Sequence, residues 1–170
     1  ESSYFSGGRF KQKGQAEAIA GAVTSVGKVV HVEQKETREQ PPFLFNLNDL
    51  QKEANKRYGL TAQQTLDTAQ ALYEKHKLLT YPRTDSRYLT TAIVKETVTD
   101  RLAALVEVPE YAALVPKKLP VLSRRYVDDT KVTDHHAIMP TQTRPDLVAL
   151  GKNGRLVYDL VVCRFLAAFY

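Results

Sequence analysis

The chain holds one cysteine, Cys163, in 170 residues. It can make no internal disulfide, and there is no cysteine pair for a zinc site. A secreted, disulfide-stapled scaffold is therefore excluded. Cys163 lies in an apolar run, where a buried thiol is expected. No apolar run approaches the ~20 residues that span a bilayer, so no membrane partner is expected. The opening Glu1-Ser2-Ser3-Tyr4 does not read as a secretion signal. It also lacks an initiator methionine, which suggests a piece of a longer protein. Neither sign of charge dominates: 24 basic against 19 acidic side chains give +5. Such an excess suits a polyanionic partner without demanding one. Internal repeats and low-complexity stretches are absent. The chain does have 43% hydrophobic residues, enough for a core at a length typical of one domain.

Pro41-Pro42 divides the chain. Before it, Gln15 to Val23 has a helical stripe of Ala16, Ile19, Ala20 and Val23, broken by Gly27. Val29 to Glu33 is β-branched and is expected to be a strand. One helix and one strand cannot close a core, so residues 1–40 read as part of a domain. After Pro42 the pattern is helical. Asn48 with Gln51 reads as a cap, Leu50, Ala54 and Tyr58 share a face, and Gly59 ends the helix. Thr61 with Gln64 repeats the cap signal before Ala62, Leu66, Ala69 and Tyr73, a stripe widened by Thr65 and Leu72. Two helices joined at Gly59-Leu60 suggest a helix-turn-helix or a plain helical hairpin. Thr90 or Thr91 caps a third helix through Ile93, Val94, Val98, Leu102 and Leu105. Val121 to Val127 is expected to be a short strand, and Leu156 to Phe169 a final core helix. The expected class is mainly α with minor β.

The run Leu79-Thr80-Tyr81-Pro82-Arg83-Thr84-Asp85-Ser86-Arg87-Tyr88-Leu89 carries the chemistry. Pro82 disfavours helix at Tyr81, and in an extended segment Tyr81, Arg83 and Asp85 share one face. Thr84 and Ser86 add hydroxyls. A phenol becomes a nucleophile at phosphorus only as it loses its proton, and the charge spread over the phosphoryl oxygens must be stabilised. Arginine suits that task through two parallel hydrogen bonds. Tyr81 is the candidate nucleophile and Arg83 the candidate phosphate ligand. The same residues also fit a turn with an Arg83–Asp85 surface pair and a helix cap. In Asp134-His135-His136, adjacent imidazoles on extended backbone face opposite ways. They fit a surface pair, a locally satisfied histidine or one ligand in a site. A zinc motif would need i,i+4 spacing and a third ligand, and neither is evident.

The Tyr-Pro-Arg-Thr-Asp-Ser string resembles the active-site segment of type IA DNA topoisomerases, most closely the topoisomerase III branch. Phe43 to Tyr73 is similar to the family's preceding helices, Asp134 to Thr141 to its histidine motif, and Tyr158 to Phe169 to the following helix. The motifs occur in the family's order over about three quarters of the chain. The resemblance implies a helical, catabolite-activator-like domain over residues 41–170 that bears the tyrosine. Residues 1–40 would be part of a β-rich gate domain. It implies transient cleavage of one DNA strand through a 5′-phosphotyrosine link, strand passage, and religation without ATP, in a bacterial protein. His135 would lie near the scissile phosphate, with Asp85 or Asp134 orienting its ring. The family places Mg2+ on a separate Toprim domain, and no Asp-x-Asp-x-Glu cluster occurs here. Asp128-Asp129 reads as a turn. No metal ligand is expected within this chain, which alone would be inactive. Its partners would be single-stranded DNA and the Toprim and remaining gate domains, in the cytoplasm at the nucleoid.

For DNA contact the candidates are Asn48, Gln51, Lys52, Gln70 and Arg87, as phosphate or amide contacts. Tyr88 would stack on a base or pack in the core. Two rival readings use the same residues. One is a helical DNA-binding module without chemistry. The other is a tyrosine recombinase-like nuclease, which needs several dispersed Arg and His residues around a late tyrosine. Here only Arg83 is adjacent and Tyr81 is central.

Overall fold

The computed structural model describes residues 5–6, 9–10, 12–23, 26–37, 39–118 and 121–170. The chain forms two compact units, Glu1–Arg38 and Glu39–Tyr170.

In the first unit, β1 (Phe5–Ser6) pairs antiparallel with β2 (Arg9–Phe10). Helix α1 runs Lys13–Ala22 and buries none of its residues. Its apolar stripe finds no core, and Val23 already has extended backbone, so the helix ends well before Gly27. The strand expected at Val29–Glu33 does not form. Val29, Val30 and Val32 are exposed instead. β-branched residues favour extended backbone, but a strand also needs a ladder partner, and none stands beside this segment among the described residues.

The second unit is mainly helical. Helices α2 (Leu47–Tyr58) and α3 (Ala62–Glu74) form a hairpin against α6 (Gly151–Ala167). Helix α4 (Thr91–Val106) leads into the single turn α5 (Pro109–Ala112). Gly59 closes α2 at φ 69°, where a side chain would be strained, and its N–H bonds Asn55 O at 2.8 Å. Thr61 and Gln64 form the reciprocal capping box of α3. Thr90 caps α4 by accepting from Ile93 N–H. On α3 the buried residues are Thr65, Ala69 and Leu72, and Ala62 is exposed.

Four expectations are corrected in this unit. Asn46, not Asn48, caps α2, its Oδ1 accepting from Asp49 N–H at 2.8 Å. Backbone pairing of Phe45 with Ile138 keeps the chain extended up to Asn46, so the helix begins immediately after it and includes Asn48. Val121–Val127 is not a strand. Val121 is exposed and Tyr126 N–H folds back onto Ser123 O, leaving one bridge, Leu89 to Val127. Cys163 is exposed on α6, whose buried side is Val157, Tyr158, Leu160, Val161, Val162, Phe165 and Leu166. That helix also starts earlier than its apolar pattern, at Gly151 with φ 63°.

The centre of this unit is the extended strip Ala137–Pro140, which is fully buried. Ala137 N–H bonds Tyr88 O, Ile138 N–H bonds Phe45 O, and Thr80 N–H bonds Met139 O, at 2.8–3.0 Å. The buried Arg101 of α4 donates to Pro140 O. Beside the strip, His136 Nδ1 lies 2.7 Å from Ala137 O, the geometry of a ring N–H donating to a carbonyl.

Two stability measurements test these contacts. Asn46→Ala removes the α2 cap and is expected to cost about 1 kcal/mol in urea unfolding, while Asn48→Ala leaves the midpoint nearly unchanged. Burial lowers the His136 pKa below its ordinary value of 6.5. The unfolded state therefore takes up the proton first, so this contribution is complete above about pH 6.5 and declines as pH falls. His136→Gln is expected to flatten the stability profile between pH 7 and 5, read as denaturation midpoints across that range.

Candidate active site around Tyr81

Leu78 and Leu79 are buried, and Leu79 pairs with Pro140. This pairing carries the strip's extended geometry into the following residues. Pro82 and Thr84 turn inward, and Tyr81, Arg83 and Asp85 turn outward. Thr84 is 5% exposed, and its hydroxyl donates to His135 O at 3.0 Å and accepts from Ser86 N–H. Its role in the structure is therefore to tie the tyrosine loop to the histidine segment. Ser86 is similarly engaged, donating to Lys131 O at 3.1 Å and accepting from Tyr88 N–H.

Tyr81 is half-buried between two rings. His135 lies 4.4 Å away, tilted by 45°, and Tyr73 of α3 meets it edge-on at 5.5 Å. The tether from Thr84 to the His135 carbonyl accounts for the first contact, and α3 supplies the second. No hydrogen bond engages the Tyr81 hydroxyl among the described residues, so it remains available to a ligand. Arg83 is exposed and donates from Nε to Gln70 Oε1 at 3.1 Å, and Gln70 Nε2 donates to Glu74 Oε1 at 2.7 Å. The amide holds the inner edge of the guanidinium and leaves its Nη fork for an anion. Asp85 and Asp134 line a 220 Å3 cleft with Arg83, Lys131, Thr133 and His135. Neither carboxylate bonds the His135 ring among the described residues.

The remaining candidates are not gathered around Tyr81. Gln51 donates to Ala62 O and braces the α2–α3 turn. Arg87 is held by Asp49 in a two-bond pair, Nε–Oδ2 2.5 Å and Nη2–Oδ1 3.1 Å, at the first turn of α2. Asn48 and Lys52 are exposed on α2. Tyr88 packs on Phe43 at 5.6 Å, with the Lys131 ammonium over its ring at 4.6 Å.

The sequence reading missed Tyr73 as a site residue and Gln70 as the partner of Arg83. Their spacing on α3, with Glu74, places all three within one helical turn and was the available signal. It also missed Lys131 and Thr133, which precede the histidine motif and carry no local signal. Among the described residues, no His, Cys, Asp and Glu side chains form a group able to hold a metal ion. The Mg2+ implied by the resemblance has no fitting donor set among the described residues. No helix among the described residues is long and apolar enough to cross a membrane.

A family model described as DNA topoisomerase matches residues 1–170. DNA topoisomerase 3 of Bacillus anthracis is 44% identical over 161 residues, covering 91% of this chain and 22% of that protein. The Bacillus licheniformis protein of the same name is 43% identical over 153 residues, 88% of this chain and 21% of its own length. That of Shouchella clausii is 46% identical over 143 residues, 82% and 19%. The chain thus spans about a fifth of the length of these relatives. With its tyrosine loop and histidine motif brought together in one site, the chain belongs to the type IA DNA topoisomerases and is topoisomerase III-like.

Proposed function

We propose that Tyr81 is the nucleophile of a type IA DNA topoisomerase that cuts and reseals one DNA strand. The observation that carries this reading is the contact of Tyr81 with His135, 4.4 Å between ring centroids, beside a guanidinium whose Nη fork is unused. A buried, fully bonded phenol would argue for a packing role, and Tyr81 is neither.

In the forward step Tyr81 Oη forms a bond to phosphorus as the P–O3′ bond breaks. The phenol gives up its proton and the departing 3′ oxygen takes one up. The 5′ phosphate stays on Tyr81 as a phosphodiester, so the energy of the broken linkage is retained. The reverse attack of the 3′ hydroxyl restores the strand without ATP. Arg83 holds two non-bridging phosphate oxygens through its fork, and His135 donates a hydrogen bond to the same phosphate. Asp85 faces the cleft where it biases the orientation of an imidazole or a bound cationic group. Thr84 and Ser86 act on the geometry of the loop, through the bonds they already make.

The relatives' name supports DNA as the substrate, and the exposed loop suits a single strand. Strand passage, the magnesium-bearing Toprim domain and the remaining gate domains belong, in this reading, to parts of the protein outside these 170 residues. Cytoplasmic action at the bacterial nucleoid follows from that substrate. A helical DNA-binding module without chemistry is less well supported, because on α3 Gln70 is engaged by Arg83 and Glu74 by Gln70 rather than left for a groove.

In the full-length protein, Tyr81→Phe is expected to abolish the covalent adduct on end-labelled single-stranded DNA while binding survives. Arg83→Lys, which replaces a fork by a point charge, is expected to lower the cleavage rate by about a hundredfold with unchanged folding. Normal turnover by Tyr81→Phe would sink the assignment. The 170-residue chain with magnesium alone is expected to leave supercoiled plasmid unrelaxed on an agarose gel.

A further inference from the structure

Tyr81 and His135 also border a second, larger opening. This groove, about 570 Å3, lies on the α3 side of Tyr81 and is walled by Tyr73, Lys77 and Thr141–Thr143. A single nucleotide fits a space of that size. We propose that it seats the nucleotide flanking the scissile phosphate, with the base against the Tyr73 ring and a backbone phosphate at Lys77. The inference deepens the reading of Tyr81 by assigning the strand's path on one side of it.

The groove is built rather than incidental. Lys77 has φ 57°, the only positive φ at a non-glycine among the described residues. A lysine gains nothing locally from that conformation, which persists only where the surroundings hold it. Here Thr141 Oγ1 donates to Lys77 O at 2.6 Å, and Thr141 N–H bonds Leu78 O at 2.9 Å. Leu78 N–H in turn bonds Leu72 O at 2.8 Å. The result carries the Lys77 ammonium back over the Tyr73 ring, 5.9 Å from its centroid, instead of out along the α3 axis. Thr143 N–H bonds Thr141 Oγ1 and fixes the opposite rim.

Charge selects the occupant. The 220 Å3 cleft on the other flank of His135 sets Asp85 and Asp134 against Arg83 and Lys131, whereas among the described residues no carboxylate lines the Tyr73 groove to offset Lys77. One cation, an aromatic wall and threonine hydroxyls match the phosphate, base and sugar of a nucleotide. Stacking on tyrosine is tolerant of base identity, and a base must be unpaired to use it, so the occupant is a single strand. His135 lines both openings, so a strand with its phosphate at Tyr81 passes directly from one to the other.

The test is a titration of the 170-residue chain with an eight-nucleotide oligothymidylate at low salt, followed by amide chemical shifts. Shifts at Lys77, Thr141 and Thr143, with binding weakened about tenfold by Tyr73→Leu, support the subsite. Lys77→Gln is expected to weaken binding severalfold and to reduce its salt dependence, and it reads the same groove should Tyr73→Leu misfold. Shifts confined to Thr84–Ser86 and Lys131–Thr133, with both variants binding as the parent does, overturn the subsite and leave the assignment of Tyr81 standing. Absence of shifts in both regions overturns the subsite and counts against the Tyr81 reading as well. Equal binding of the corresponding duplex overturns the single-strand occupant.

Discussion

The backbone pairing of the buried strip Ala137–Pro140 is the constraint on which the rest of the second unit depends. Its amides and carbonyls are out of water, and an unpaired backbone group there would be costly. Most of them find partners from distant parts of the chain: Phe45 before α2, Thr80 before the tyrosine, Tyr88 after it, and Arg101 on α4. Burial of Phe45, Leu79, Ile138 and Met139 contributes about 1.5–3 kcal/mol for each side chain and secures the register. The tyrosine loop is thereby held between two anchored ends. His135, two residues before the strip's buried run, has little freedom but to lie over Tyr81.

This arrangement separates support from chemistry along one alternation. On the tyrosine loop, inward Pro82 and Thr84 hold the backbone and outward Tyr81, Arg83 and Asp85 meet solvent. The same division recurs on α3. Ala69 and Leu72 face the core, and Gln70, Tyr73 and Glu74 face the site. A helix packed on α6 is a rigid base from which to aim a guanidinium, since its positions are set by core packing and not by the loop. Surface hydrogen bonds such as Arg83 to Gln70 contribute little to stability, but they restrict a flexible side chain to one direction.

Some disagreements between sequence and structure have one cause. Asn48 and Asn46 are both good caps by composition, and the choice fell to Asn46 because Phe45 is pinned to Ile138. Val121–Val127 and Val29–Glu33 have strand composition without a neighbouring ladder among the described residues. Arg87 reads as a candidate for DNA contact and is a partner of Asp49. In each case the local pattern was read correctly as a preference, and a contact from elsewhere in the chain, or the lack of one, decided the outcome.

The amino-acid order by itself determined the features that act within a turn or two of helix: the Gly59 stop, the Thr61–Gln64 box, the Thr90 cap, and the extended backbone imposed by Pro82. It also carried the tyrosine and histidine motifs as recognisable strings. Only the tertiary structure decided that these strings meet, that Gln70 holds Arg83, and that Tyr73 with Lys77 walls a groove. Those contacts join residues 13 to 64 positions apart, as in Arg83–Gln70, Thr84–His135 and Thr141–Lys77. Propensity acts through neighbouring dihedrals and cannot reach so far. Burial of one shared strip can, because every segment that pairs with it is brought to the same place.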